Sequence, residues 1–384
     1  MLPEDFIQPN GRLVRIGEGE WAFIPESLPP RIEWTSRLVA ELSLADRAVG
    51  ELAGLGRMLP NPHLLIRPFL RREAVLSSRI EGTRASLSDL YLYEVAGQLR
   101  LWNDEALKED VREVFNYVRA LEYGLSRLRE LPISLRLIKE LHSILLEGVR
   151  GAGRSPGELR KVQNWIGPPG CTLREATFVP PPASEVLDLM GSLEKFIHRE
   201  DDLPPLVKLA MIHYQFEAIH PFLDGNGRLG RMLIILLLCA WNILPQPLLY
   251  LSPYFEFRRQ QYYDLLQGVS TRSAWEDWIV FFLRGVHHQA TDAIGRASRL
   301  QELQANYRER FQRARAPSAL LSLCDHLFSL PIISVPEAAK RLNVTYSSAQ
   351  KYIEALVREG VLQEITGRSR NKLYIAKEVM EILD

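Results

Sequence analysis

The chain has 384 residues with 47 basic and 47 acidic side chains, so its formal net charge is zero, which excludes a chain-wide polycation built for nucleic acid or anionic lipid. With 46% hydrophobic residues it is ordinary globular material, long enough for two or three domains. Its three cysteines, Cys171, Cys239 and Cys324, are far apart, which excludes a disulfide framework or a CxxC metal cluster and predicts a reducing, cytoplasmic setting.

Residues 1–10 carry Pro3, Glu4 and Asp5 where an export signal needs a basic start and an apolar run, so export is not expected. Prolines and glycines break residues 1–30, which read as an irregular arm with at most one short hairpin and no core. Residues 31–110 read as a helical N-terminal region. Ile32, Leu38, Val39, Leu42, Val49, Leu52 and Leu55 recur at helical spacing until Leu59-Pro60-Asn61-Pro62 stops them. The next helix is predicted over 68–80, opened by Pro68 and closed by Gly82. Further helices are expected at 86–96, 103–130, 134–148, 183–198, 204–219, 227–241 and 256–269, followed by a long charged helix ending near 316. Residues 111–290 form the core domain on this reading. Residues 291–316, poor in aliphatics, form a helical linker to a separate domain at 317–384. The apolar run 232–241 is ten residues long, short of the about 20 needed to span a membrane, and reads as a buried core helix. Between 160 and 182, strand-forming residues flank a Pro/Gly turn and predict a β-hairpin on an exposed edge.

The segment from His220 to Arg231, His-Pro-Phe-Leu-Asp-Gly-Asn-Gly-Arg-Leu-Gly-Arg, joins two apolar helices. Pro221 disfavours helix at His220, and Gly225 and Gly227 permit a tight turn, so backbone N–H groups converge at the start of the next helix. That makes an anion nest. Arg228 and Arg231, three apart, can hold further phosphates. Asp224 is placed to hold Mg2+ against phosphate oxygens, and His220 to act as a general base on a hydroxyl.

These twelve residues match the signature HPFx(D/E)GNGRxxR, and the chain resembles the Fic family, most of whose members are protein adenylyltransferases. Gln163, Asn164, Trp165, Ile166 and Gly167, with Phe178 to Pro181, resemble the family's flap, which lays a target segment across the active site by strand addition. The resemblance covers roughly residues 31–284. It implies a mainly α fold: an all-helical Fic domain with a β-hairpin flap, preceded by a helical region. It further implies that His220 deprotonates a Ser, Thr or Tyr hydroxyl of a target protein, which attacks the α-phosphate of ATP. Asp224 would bind Mg2+; Gly225, Asn226 and Gly227 would form the anion hole; Arg228 and Arg231 would contact phosphates. Relatives use other nucleotides or phosphocholine, so the base pocket stays open, with Tyr254 and Tyr262 as candidates.

Glu81 falls in the last turn of the helix closed by Gly82, where the helix dipole disfavours a carboxylate, and Ser77 stands one turn back, able to bond that helix end. The segment matches the family's inhibitory motif (S/T)xxxE(G/N), which implies that Glu81 pairs with Arg231 and obstructs the γ-phosphate.

Residues 317–384 resemble a winged helix, with Tyr346, Ser347, Gln350 and Lys351 on its second motif helix and Arg368, Arg370 and Lys372 on the wing. Its eight basic and eight acidic residues cancel, leaving DNA and a protein partner equally placed. A second copy of this chain is a further candidate partner; a membrane is not. Two other readings stand beside the transferase: a Fic enzyme that removes AMP, and a DNA-binding regulator whose core senses nucleotide.

Overall fold

A computed structural model describes residues 3–58, 62–96, 104–168, 170–368 and 370–384. The expected break at residues 59–61, the predicted helix start at Asn103, Pro169 of the flap turn and Ser369 of the wing loop lie outside the described residues.

The opening arm does contain a hairpin, β1 (Gly11–Arg15) antiparallel to β2 (Trp21–Pro25) with Leu13 opposite Phe23. The expectation that no core begins there fails. Ala22 and Phe23 are fully buried, and the Phe23 N–H donates to Val179 O at 2.9 Å. A two-stranded ribbon cannot bury an Ala-Phe-Ile run by itself, so it packs against the segment carrying Ala176 and Val179.

Helices follow: α1 (Ser36–Met58), α2 (His63–Ile80), α3 (Leu87–Ala96), α4 (Glu105–Arg127), α5 (Leu135–Leu145), α6 (Val186–His198), α7 (Pro205–Ile219), α8 (Asn226–Ala240), α9 (Ser252–Phe257), α10 (Arg259–Arg272) and α11 (Trp275–Arg313). α2 begins five residues before the predicted start, which leaves Pro68 inside it. Interior proline removes a backbone hydrogen bond; here Leu65, Ile66, Phe69 and Leu70 are buried around it, and their packing keeps the segment helical. Every residue of α8 from Arg228 to Leu238 is buried, between α7, α4, α5 and α2. Among the described residues no helix is long and apolar enough to cross a membrane.

The charged half of α11 is more than a connector. Ala293, Ala297, Leu300, Tyr307 and Phe311 form a narrow buried stripe along it. Against α11 pack α12 (Ser318–His326) and the C-terminal α15 (Lys377–Leu383). Between them lie β3 (Ile332–Ser334), α13 (Val335–Leu342), α14 (Tyr346–Arg358), β4 (Gln363–Glu364) and β5 (Leu373–Ile375). The strands form an antiparallel sheet in the order β3-β5-β4, with Tyr374 opposite both Ile333 and Glu364. β3 and α15, both short, were not anticipated from periodicity. α3 packs on β3 and α15 on α2, so the apolar core is continuous from α1 to α15.

Candidate active site

α7 ends at His220, which adopts a left-handed conformation (φ 49°) just before Pro221, the residue that makes right-handed helix costly at this position. Its Nδ1 lies 3.3 Å from Glu217 O. A carbonyl only accepts, so Nδ1 carries the hydrogen and Nε2 is left with a free lone pair. Burial lowers the imidazole to about 4, so the ring is neutral at pH 7.

The turn into α8 is made by Gly225 at φ 76°. Leu229 is the first residue to bond back into the helix, to Gly225 O at 3.0 Å, which leaves the amides before it for an anion. The Asn226 side chain does not face that anion position. It donates to Phe222 O at 2.8 Å and accepts from the Phe222 N–H at 2.9 Å, stapling the loop shut.

Two residues that no motif flagged hold this loop. The Gly157 N–H donates to His142 Nδ1 at 2.8 Å, so His142 Nε2 carries the hydrogen that Asp224 O accepts at 3.0 Å. The His142 ring stacks on Phe222, centroids 3.8 Å apart. Arg160, buried, donates to His220 O at 2.9 Å and Pro181 O at 2.5 Å, tying the end of α7 to the flap. Their only sequence signal is a polar residue set among apolar ones, 60 or more positions from the motif.

The two motif arginines diverge, and both are buried rather than solvated. Arg228 Nη1 meets Glu113 Oε2 on α4 at 3.0 Å and its Nη2 meets Asp224 Oδ1 at 3.3 Å. Arg231 reaches α2: Nη2 is 2.6 Å from Glu81 Oε1 and 2.9 Å from Ser77 O, and Nε is 2.9 Å from Ser77 Oγ. Ser77 therefore bonds the arginine, not the Glu81 end of the helix as expected. α2 ends at Ile80, so Glu81 is its cap residue, followed by Gly82 at φ 101°. Burial pushes the Glu81 carboxyl up, but the charge and hydrogen bond of Arg231 outweigh it and hold the carboxyl below its ordinary value. Glu81 lies across the first turn of α8: a methyl group on Gly227 would fall 2.2 Å from its Oε1.

The expected base-pocket tyrosines lie in the core. Tyr262 is 1% exposed, with its hydroxyl 2.8 Å from His213 Nε2 and its ring stacked on Phe255. Tyr254 is 5% exposed, packed beneath the Arg258 guanidinium and against Gly285. Tyr263, at 38% exposure, shares the field of Glu81 and Arg231 with Tyr262 and is the more exposed of the two rings.

The flap is less regular than a paired hairpin. Among the described residues its pairing is a single antiparallel bridge between Ile166 and Phe178, with a 3-10 turn at Leu173–Glu175 between them. Pro168 and Pro180 to Pro182 lack the N–H groups a ladder needs. Side-chain bonds do the work instead: Asn164 Nδ2 to Phe222 O at 2.9 Å, Gln163 Nε2 to Pro180 O at 2.9 Å, and Trp165 Nε1 to Cys171 O at 3.0 Å. Gly167 sits where a side chain would strike Cys171 Sγ. Val162, Trp165 and Ile166 are exposed.

The Fic/DOC family N-terminal model matches residues 39–126 and the Fic/DOC family model residues 132–238. The protein adenylyltransferase Fic of Drosophila grimshawi is 31% identical over 162 residues, 41% of this chain and 30% of that protein. That of Drosophila virilis is 32% identical over 133 residues, 34% of this chain and 25% of that protein. The chain thus spans under a third of the length of these curated relatives. A Fic family protein from Desulfovibrio desulfuricans superposes with a TM-score of 0.58 at 18% identity, over 91% of this chain and 98% of that one. Fic-1 from C. elegans gives 0.53 at 20% identity, over 68% and 74%. Identities this low speak to the fold, which is the mostly helical Fic fold. With the N-terminal and core family models matched in succession along it, the chain belongs to the Fic/DOC family.

Proposed function

We propose that this protein is a protein adenylyltransferase that moves AMP from ATP to a Ser, Thr or Tyr hydroxyl of a target protein, and that Glu81 restrains it. The observation that carries the reading is a neutral His220 with a free Nε2 beside the unpaired amides at the start of α8.

On this reading the target hydroxyl attacks the α-phosphorus of ATP in line. A bond forms from the hydroxyl oxygen to phosphorus, the bond to the bridging α–β oxygen breaks, and pyrophosphate leaves. His220 Nε2 takes the hydroxyl proton. The amides of residues 225–228 and the helix dipole meet the charge that develops on the phosphoryl oxygens. Glu113 and Asp224 hold the Arg228 guanidinium in one orientation beside that position. The chemistry is positioning and electrostatics.

Asp224 offers one half-exposed carboxylate, and among the described residues no group of three or more His, Cys, Asp or Glu is built to cage a metal. That donor set fits Mg2+, which takes one or two carboxylates and completes its shell with phosphate and water. Asp224 would hold such an ion, which would supply positive charge to the phosphates. Exposed Val162, Trp165 and Ile166 on a segment with little internal pairing suit the addition of a target strand. Residues 317–384, four helices with the β3-β5-β4 sheet, support a winged-helix reading.

Incubating the protein with labelled ATP, Mg2+ and a cell lysate tests the proposal. Label from the α-position should enter protein, and label from the γ-position should not. Retention of neither, with ATP bound, leaves the regulator reading in its place.

A further inference from the structure

Glu217 stands one turn before His220 on α7 and has no part in the steps above. It is half-buried, and its Oε1 is sealed from solvent without a hydrogen-bond partner among the described residues. The carboxyl lies against the backbone of α8: a methyl group on Gly230 would come within 2.4 Å of Oε1. Gly230 thus opens the space that the carboxyl occupies between the two helices flanking the anion nest.

The groups around it come from four elements. α8 contributes Arg231 and α2 contributes Glu81. α10 contributes Tyr262, with Tyr263 beside it. α7 itself carries His213 and His220, lowered by burial to about 3 and about 4 and therefore uncharged. Arg231 is the nearby cation, and Ser77 and Glu81 already hold it. Burial pushes the Glu217 carboxyl up to about 7; Arg231 pulls it down and Glu81 adds to the rise.

A polyphosphate entering beside Arg231 brings several negative charges next to this unpaired oxygen. An ionised Glu217 would repel it, whereas a protonated one presents an O–H donor to a nucleotide oxygen. We propose that Glu217 is a nucleotide-contacting residue whose carboxyl takes up one proton from solvent as ATP binds and donates it as a hydrogen bond to a ribose or phosphate oxygen. The inference rests on the adenylyltransferase reading, because it takes ATP as the ligand.

Binding of MgATP to the full chain, followed calorimetrically in buffers of different ionisation enthalpy, tests it. At about pH 8 the unmutated protein should take up a sizeable fraction of one proton per ATP, and its affinity should fall about tenfold between about pH 7 and about pH 8.5. Glu217→Gln, neutral and of the same shape, should bind without that uptake, with an affinity nearly independent of pH over this range and exceeding that of the unmutated protein at the alkaline end. A merely structural Glu217 would not move the proton count. Should the variant fail to fold, Glu217→Asp, which draws the carboxyl back from α8, takes its place and should shift the proton count, and an unshifted count overturns the inference. ATP binding without proton uptake, or with the same uptake in both proteins, overturns this inference alone. No ATP binding at any pH overturns it together with the adenylyltransferase reading.

Discussion

Arg231 Nη2 and Glu81 Oε1 meet at 2.6 Å across 150 positions of sequence. The contact resolves a local conflict in α2, where a carboxylate at the helix C-terminus faces the negative end of the dipole. A buried guanidinium from α8 supplies the compensating charge. Arg231 is in turn raised above its ordinary pKa, since Glu81, Tyr262 and Glu217 outweigh the effect of burial, and it stays charged at any accessible pH. One arginine thus links the helix that carries the restraint to the helix that would hold the phosphates.

Replacing Glu81 with glycine should therefore raise incorporation of labelled AMP about tenfold or more, since about 1.4 kcal/mol of barrier corresponds to a factor of ten. Adding His220→Ala should silence the gain. Arg231→Ala should not reproduce it, because that change loses the phosphate contact along with the ion pair. Equal labelling in wild type and Glu81→Gly, with ATP bound to both, would mean that Glu81 imposes no restraint or serves removal of AMP. Glu81→Gly should also melt earlier than wild type, because Arg231 stays buried with one partner fewer.

The pH profile of Glu81→Gly reports on the base. A histidine with its pKa lowered to about 4 is neutral, and able to accept a proton, at every pH above that value. Transfer at saturating ATP should hold level from about pH 7 down to about pH 5 and fall only below that. An acid limb near 6.5, the unperturbed histidine value, would show that His220 is solvated in the working enzyme.

How much of this was legible depended on whether the signal was local. The segment from His220 to Arg231 could be read because its turn, its nest and its arginines all lie within twelve consecutive residues. Glu81 and Ser77 could be read because a six-residue segment resembles a known motif, although the bond between Ser77 and Arg231 could not. Arg160, His142 and Glu113 were invisible, since each is defined by what it touches 60 to 115 positions away. Tyr254 and Tyr262 were misplaced because aromatic residues in a helix fit core and pocket equally well until the facing helices are known. Pro68 misled as a start signal because burial of its neighbours outweighed its cost.

Arg160→Ala should reduce both stability and turnover. The change strips donors from the carbonyls of His220 and Pro181, and buried acceptors left unpaired cost about 1–3 kcal/mol each. A loss of about 2–4 kcal/mol in chemical denaturation is expected. Turnover should fall more than ATP affinity, because the bonds orient His220 and the flap rather than the anion nest. Unchanged turnover in a folded variant would detach Arg160 from catalysis.

The C-terminal region offers the last test, because its net charge of zero conceals a segregation. Five of its eight acidic residues are tied into the fold: Asp325 to Arg308, Glu359 to Arg310, Glu378 to the Tyr307 hydroxyl, Glu381 to Lys377, and Glu364 to the Thr366 and Gly367 amides. Among the described residues, Lys377 is the one basic side chain of 317–384 in an ion pair, so Lys351, Arg368 and Arg370 have no close carboxylate, and Lys372 only acts on Glu364 at a distance. All four are exposed, and α14 presents exposed Tyr346 and Gln350 beside them. Such a face should bind double-stranded DNA through phosphates, with log affinity falling against log salt by about 0.9 for each phosphate neutralised. Replacing Arg368, Arg370 and Lys372 with alanine should flatten that slope by two to three such steps and leave the fold intact, since none of the three supports a neighbour. Mobility shifts of the full chain across a salt series measure this directly. Absence of any shift at low salt would assign the face to a protein partner, and an unchanged slope in the triple variant would move the DNA contact elsewhere on the molecule.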